Sequence, residues 1–195
     1  MLPESYTENA LELCDASEAD MVEVQKIYAH HVIHGLSSFE TEAPTLEEML
    51  LRRRNVLGKG LPYLVARQFG QVLGYCYLSP YRPRYAYRFT VEGSVYIAEA
   101  HQGKGVGKSL MAEAILRAER GGWRQMMAVI GNSENIASLR LHQSLGFHVI
   151  GQLTGVGFKH GRWVNTIMMQ RTLGEERQPH PLIAKNNDNH YHPWL

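Results

Sequence analysis

Cysteine is scarce. Only Cys14 and Cys76 occur, each inside an apolar run, where a reduced thiol packed as a small hydrophobe is the ordinary state. That argues against a disulfide framework. Charge of one sign is also lacking: 20 Lys and Arg against 19 Asp and Glu leave a formal charge of +1, so no global field draws the chain to nucleic acid or to a membrane. No run of about eighteen uninterrupted apolar residues is present, and the opening MLPESYTENA has no basic-then-apolar signal pattern. These absences lead to the expectation of a cytoplasmic protein without nucleic acid or membrane partners. With 195 residues, 44% of them apolar, the chain is long enough for one well-buried domain and short for two.

What is present is concentrated between Thr90 and Arg120. Val91, Val95, Tyr96 and Ile97 form a β-branched and aromatic run, which predicts a strand. From Leu110 the period changes: Leu110, Met111, Ala114, Ile115 and Ala118 recur at three- and four-residue spacing, which predicts an amphipathic helix. Between them Gly103, Gly105 and Gly107 alternate with other residues. A glycine turn feeding a helix N-terminus lets backbone N–H groups converge on an anion, and a phosphate is the expected ligand. Spacing narrows the choice. The mononucleotide loop fails because Gln102 stands where its first glycine belongs, and the dinucleotide fingerprint meets Lys108 or Leu110 in place of its last glycine.

What fits is Q-x-x-G-x-G, as Gln102, Gly103, Lys104, Gly105, Val106 and Gly107. This motif resembles the pyrophosphate loop of the GCN5-related N-acetyltransferases. Asn135 to Phe147, NIASLRLHQSLGF, resembles the second signature of the same family. YRPRYAYRFTVEGSVYI, Ser38-Phe39-Glu40 and VGFKHGRWVNTIMMQ resemble its phosphinothricin and methionine sulfone or sulfoximine acetyltransferase branch. The likeness runs from Leu11 to Leu173. It implies an α/β (α+β) fold with a mixed, mostly antiparallel sheet flanked by helices, acetyl-CoA as co-substrate, a small-molecule amine as acceptor, and a homodimer. It also implies that Val95, Tyr96 and Ile97 run beside the pantetheine, that Gln102 to Lys108 wrap the pyrophosphate, and that Asn135 and Ser138 line the other side.

Along the chain, residues 1–10 read as an extension, 11–173 as the catalytic domain and 174–195 as a tail without periodicity, in which His190 and His192 are taken as solvated. A strand near Leu11 to Cys14 precedes a helix to about His31 and a second helix from Pro44 and Thr45 to Gly58, with Leu46, Met49 and Leu50 inward. His30 and His34 stand four apart, but two ligands followed by Gly35 do not make a metal site, and none is expected. Leu61–Gln68 and Val72–Leu78 predict an antiparallel hairpin, Met126–Ile130 a buried strand, and Val149–Leu153 and Val164–Met169 two closing strands.

Acetyl transfer needs a neutral amine, a positioned thioester and stabilisation of charge at the carbonyl. An amine of pKa ~8 is about one-tenth neutral at pH 7, so a modest base suffices. Glu92, at the start of the central strand, is the expected base; its alternative is a strand-edge glutamate paired with Arg88. His142 is a second catalytic candidate; the resemblance implies a tyrosine acid near the thiolate, but the corresponding helix here carries Leu139, Leu141 and His142 and no tyrosine. Substrate contacts are expected from Arg82, Arg84 and Tyr85 with Glu92, Gly93 and Ser94, because guanidinium groups bind a carboxylate in two parallel hydrogen bonds. If the segment is extended, Arg82 and Arg84 share one face. The competing functions are acetylation of a peptide N-terminus or polyamine, and a non-catalytic acyl-CoA sensor.

Overall fold

The computed structural model describes residues 10–174. Seven strands form one sheet in the order β1-β2-β3-β4-β5-β7-β6. They are β1 (Glu12–Asp15), β2 (Tyr63–Gln68), β3 (Gln71–Pro80), β4 (Thr90–Ile97), β5 (Gln125–Gly131), β6 (His148–Lys159) and β7 (Arg162–Thr172). Every pairing is antiparallel except β4 with β5. Four helices complete the fold: α1 (Met21–His34), α2 (Leu46–Leu57), α3 (Val106–Arg120) and α4 (Ile136–Ser144). The mixed, mostly antiparallel sheet is as expected. The terminal segments, including His190 and His192, lie outside the described residues.

The β2–β3 hairpin turns on Phe69 and Gly70, both at positive φ, a two-residue turn whose twist matches that of its strands. Thr45 caps α2 by accepting a hydrogen bond from the Glu48 N–H. Asp20 does not cap α1: its carboxylate accepts from the Ser17 N–H and hydroxyl and pairs with Arg67 on β2. Helix α1 runs one turn beyond the expected end, to His34. Leu46 is exposed, leaving Met49 and Val56 as the buried residues of α2. Strands β6 and β7 are longer than their apolar patterns suggest. A register shift between Leu153 and Gly157, at a Gly155 of positive φ, breaks the alternation that the eye follows.

Side-chain alternation along β4 divides the site between two faces. Val91, Gly93, Val95 and Ile97 face α3: a Cβ on Gly93 would meet Met111 Sδ at 3.3 Å, and one on Gly107 would meet Ile97 Cγ1 at 3.4 Å. Glu92, Ser94 and Tyr96 face the α1 side. There Tyr63, Tyr75, Tyr77, Tyr96 and Tyr28 form a chain of ring contacts with centroids 4.9–5.8 Å apart.

Candidate active site

Strands β4 and β5 pair at only three rungs, Thr90 with Gln125, Val91 with Met126 and Glu92 with Met127. Beyond Glu92 they part. The Ala98 N–H donates to the Leu73 carbonyl at 2.9 Å, and with the antiparallel register this makes the even-numbered residues of β4 bond β3. Backbone groups of Gly93, Val95 and Ile97 therefore point into the gap that β5 leaves. Apart from the Ile97 carbonyl, which accepts from side chains, this row of strand donors and acceptors is a template for an extended chain with amide groups of its own. Tyr96 differs, since its backbone faces β3 and its ring packs among the tyrosines.

The gap opens into a cleft of about 700 Å³, well within the size range of small-molecule sites. At one end the N-terminus of α3 has no side-chain cap. Its N-cap residue is Gly105, at φ 84°. The first N–H groups of the helix are thus free to meet an anion, and no acidic side chain stands in the first turn to compete. Gly103 shares the left-handed conformation at φ 71°. Gly107 serves differently: a Cβ there would sit 2.9 Å from Leu141 Cδ1, so this glycine is what lets α4 close on α3. Gln102, Gly103, Gly105, Val106, Gly107 and Lys108 line the cleft, whereas Lys104 lies outside the lining.

The opposite wall is α4. Asn135 caps it, its Oδ1 accepting from the Ser138 N–H at 3.1 Å, so Asn135 and Ser138 satisfy each other as well as line the cleft. His142, 2% exposed, donates from Nδ1 to the Ser138 carbonyl at 2.8 Å. That bond fixes the neutral tautomer, so Nε2 carries a lone pair, and among the described residues it has no partner. Burial lowers the His142 pKa, which makes the imidazolium scarce at neutral pH.

Glu92 stands at the last rung before the strands part, next to the first lining residue, Gly93, with its side chain on the α1 face. Its neighbours there are Ser94 and Tyr77, hydrogen-bonded to each other. Burial raises the Glu92 pKa. The expected alternative is not realised: Glu92 has no ion pair among the described residues, and the Arg88 guanidinium lies over the rings of Tyr85 and Phe89 at 4.3 and 4.4 Å. The arginine-rich segment is not extended either. It ends in a 3-10 turn at Tyr85–Tyr87, which begins directly after Arg84. Arg82 lies 5.1 Å over Tyr81, and Arg82, Arg84 and Tyr85 are exposed and absent from the cleft lining.

The sequence reading missed three contributors. His31 Nε2 donates to the Ile97 carbonyl at 2.8 Å, holding the unpaired end of β4. Leu36 and Ser37 cross the end of the gap, where a Cβ on Gly131 would lie 2.6 Å from the Leu36 carbonyl. Glu40, held by two hydrogen bonds from Arg52 at 2.7 and 3.1 Å and by one from the Tyr28 hydroxyl at 2.7 Å, anchors that segment with the buried Lys159, which donates to the Ser38 carbonyl at 2.7 Å. Two signals pointed this way: His31 on the inner face of α1, overshadowed by His30 and His34, and the Ser38-Phe39-Glu40 segment.

Comparison with known proteins decides what such a cleft is. Residues 25–147 match the model of the acetyltransferase (GNAT) family. The chain belongs to the acetyltransferase (GNAT) family. It is 53% identical over 154 residues to a phosphinothricin N-acetyltransferase of Alcaligenes faecalis, covering 79% of this chain and 78% of that one. It is 40% identical to an L-methionine sulfoximine/L-methionine sulfone acetyltransferase of Salmonella typhimurium, covering 84% and 95%. Among solved structures, a GNAT phosphinothricin acetyltransferase of Sinorhizobium meliloti in complex with acetyl-CoA superposes with a TM-score of 0.83 at 41% identity, over 95% of this chain and 97% of that one. This GNAT chain is an N-acetyltransferase, and acetyl-CoA is its co-substrate. The chain's own geometry fits that co-substrate: free strand amides suit the pantetheine, and an uncapped helix end suits the pyrophosphate.

Proposed function

We propose that this enzyme acetylates the amine of a small amino acid analogue of the phosphinothricin or methionine sulfone and sulfoximine type, with Glu92 as general base. The observation that carries the reading is the placement of Glu92. It is a carboxylate without a cation, with its pKa raised by burial, at the point where the strand amides of Gly93, Val95 and Ile97 become free. A base held above the ordinary carboxylate range takes a proton from an ammonium more readily than a solvated one. Val95 and Ile97 hold the pantetheine, the loop from Gln102 to Lys108 holds the pyrophosphate, and Asn135 and Ser138 close the other side. His142 offers its Nε2 lone pair as a proton acceptor; the tautomer that Ser138 fixes does not donate there.

On the acceptor side, Gly93, Ser94 and Tyr77 border the amine. Arg82, Arg84 and Tyr85 form a cationic rim that draws in and binds the substrate carboxylate. The test is acetyl-CoA turnover, read as free thiol, against phosphinothricin, methionine sulfone, methionine sulfoximine, spermidine and short peptides. Turnover confined to the three carboxylate-bearing amino acid analogues is expected. In Arg82→Ala and Arg84→Ala the KM for these should rise by roughly tenfold or more, the scale of a hydrogen bond to a charged group, with spermidine little changed. Preference for peptides or spermidine, or no turnover at all, would overturn the reading.

The enzyme acts as a homodimer in the cytoplasm. Support for the dimer comes from β6 and β7, where Val149, Ile150, Leu153, Val156, Phe158 and Trp163 are all exposed. A reducing compartment suits two free thiols, and among the described residues no helix is long and apolar enough to cross a membrane.

A further inference from the structure

We infer that Arg140 is the residue through which the enzyme distinguishes coenzyme A from its 3′-dephospho form. The inference rests on the placement of the pyrophosphate at the glycine loop proposed above. Acetyl-CoA carries three phosphates, and the α3 N-terminus accounts for two of them. With the reacting end at Glu92, the pantetheine along Gly93 to Ile97 and the pyrophosphate at Gln102 to Lys108, the adenosine leaves the cleft past the α3 N-terminus. The element that meets it there is α4. Leu141 packs so closely on Gly107 that a Cβ on that glycine would lie 2.9 Å from Leu141 Cδ1, which brings the second turn of α4 beside the first turn of α3.

Ala137, Arg140, Leu141 and Ser144 share one helical face by their spacing of three, four and seven residues, and all four line the cleft. Arg140 is exposed, and among the described residues no hydrogen bond or ion pair occupies its guanidinium. The cleft lining contains no Asp or Glu, while Lys108 adds to the positive field. A free guanidinium at the mouth of a phosphate-binding cleft, with no carboxylate to neutralise it, suits a phosphate monoester, which it can grip with two parallel hydrogen bonds.

The experiment is calorimetric titration of coenzyme A and of 3′-dephospho-coenzyme A into the wild-type chain and into the Arg140→Met, Arg140→Lys and Lys108→Met variants. The exposed setting weakens the contact through solvent screening, so the wild type should prefer coenzyme A by roughly five- to tenfold. Arg140→Met should bind the two ligands equally, at the wild-type affinity for the dephospho form, and Arg140→Lys should keep part of the preference. Lys108→Met should weaken both ligands alike. A wild-type ratio near one, or a ratio unchanged in Arg140→Met, overturns this inference alone. Loss of both ligands from a folded Arg140→Met chain makes Arg140 a general phosphate contact and overturns it as well. Failure of the wild-type chain to bind either ligand would overturn the placement of the co-substrate and this inference with it.

Discussion

Glu92 is held without a partner, and a carboxylate withdrawn from water with no cation beside it is costly. The cost shows as its raised pKa. Because the folded-state value lies above the unfolded one, the protonated form favours folding. This contribution is complete below the ordinary glutamate pKa and is lost as pH rises through the raised value. Glu92→Gln should therefore melt at a higher temperature than wild type near neutral pH while turning over roughly 10²-fold more slowly or worse. The rate defect should narrow at about pH 9.5, where the substrate amine loses its proton unaided. Calorimetric melting and a pH–rate profile check both halves, and a variant equally slow at both pH values would make Glu92 a positioning residue. The acid limb of the wild-type kcat/KM profile should likewise fall at higher pH than that of an unperturbed glutamate.

At the scale of elements, the site is made by an early parting of strands and by a helix left uncapped. Three rungs join β4 to β5, and the residues that follow carry the free amides. Helix α3 begins at a left-handed glycine, with no side chain over its first N–H groups. Replacing Gly105 with Val forces a β-branched residue to φ 84°, a conformation costing L-residues roughly 1–2 kcal/mol. The KM for acetyl-CoA should rise at least several-fold while kcat changes less, since the loop binds without touching the reacting atoms. An unchanged KM would remove the loop from the cofactor site. Gly107→Ala is a useful contrast: its added Cβ would lie 2.9 Å from the mobile end of Leu141 and 3.4 Å from Ile97 Cγ1, so the Leu141 side chain should shift and the loop should still bind.

At the scale of the whole molecule, the side of the sheet formed by β6 and β7 is the least finished surface. Trp163 is 71% exposed and Phe158 59%, their rings in edge contact at 5.1 Å. Phe39, at the end of the segment that crosses the gap, packs on Gly157 of β6 so closely that a Cβ there would displace its ring. A second copy covering β6 and β7 would therefore steady the segment that Phe39 ends as well. Light scattering at micromolar concentration should give twice the chain mass, and Trp163→Asp should give the monomer with a raised KM for the amine. A monomeric wild type would remove the dimer.

Local pattern was enough for the elements whose apolar residues recur regularly. The inner face of α3, Leu110 to Ala118, is buried as its period requires, and the hairpin follows from Phe69 and Gly70 between two alternating runs. The phosphate loop was legible too, because glycine spacing acts on the backbone of its own segment. The arginine segment was not: it runs into a 3-10 turn, and Arg82 and Arg88 lie over neighbouring tyrosine rings. Nor was the glycine bulge of β6, which conceals the length of the closing strands. The unpaired state of Glu92, the His31 bond to Ile97, the orphaned Nε2 of His142 and the seat of Arg140 beside Gly107 join residues far apart along the chain. Each depends on which neighbour arrives and on how much water it displaces, and only the packed tertiary structure decides that.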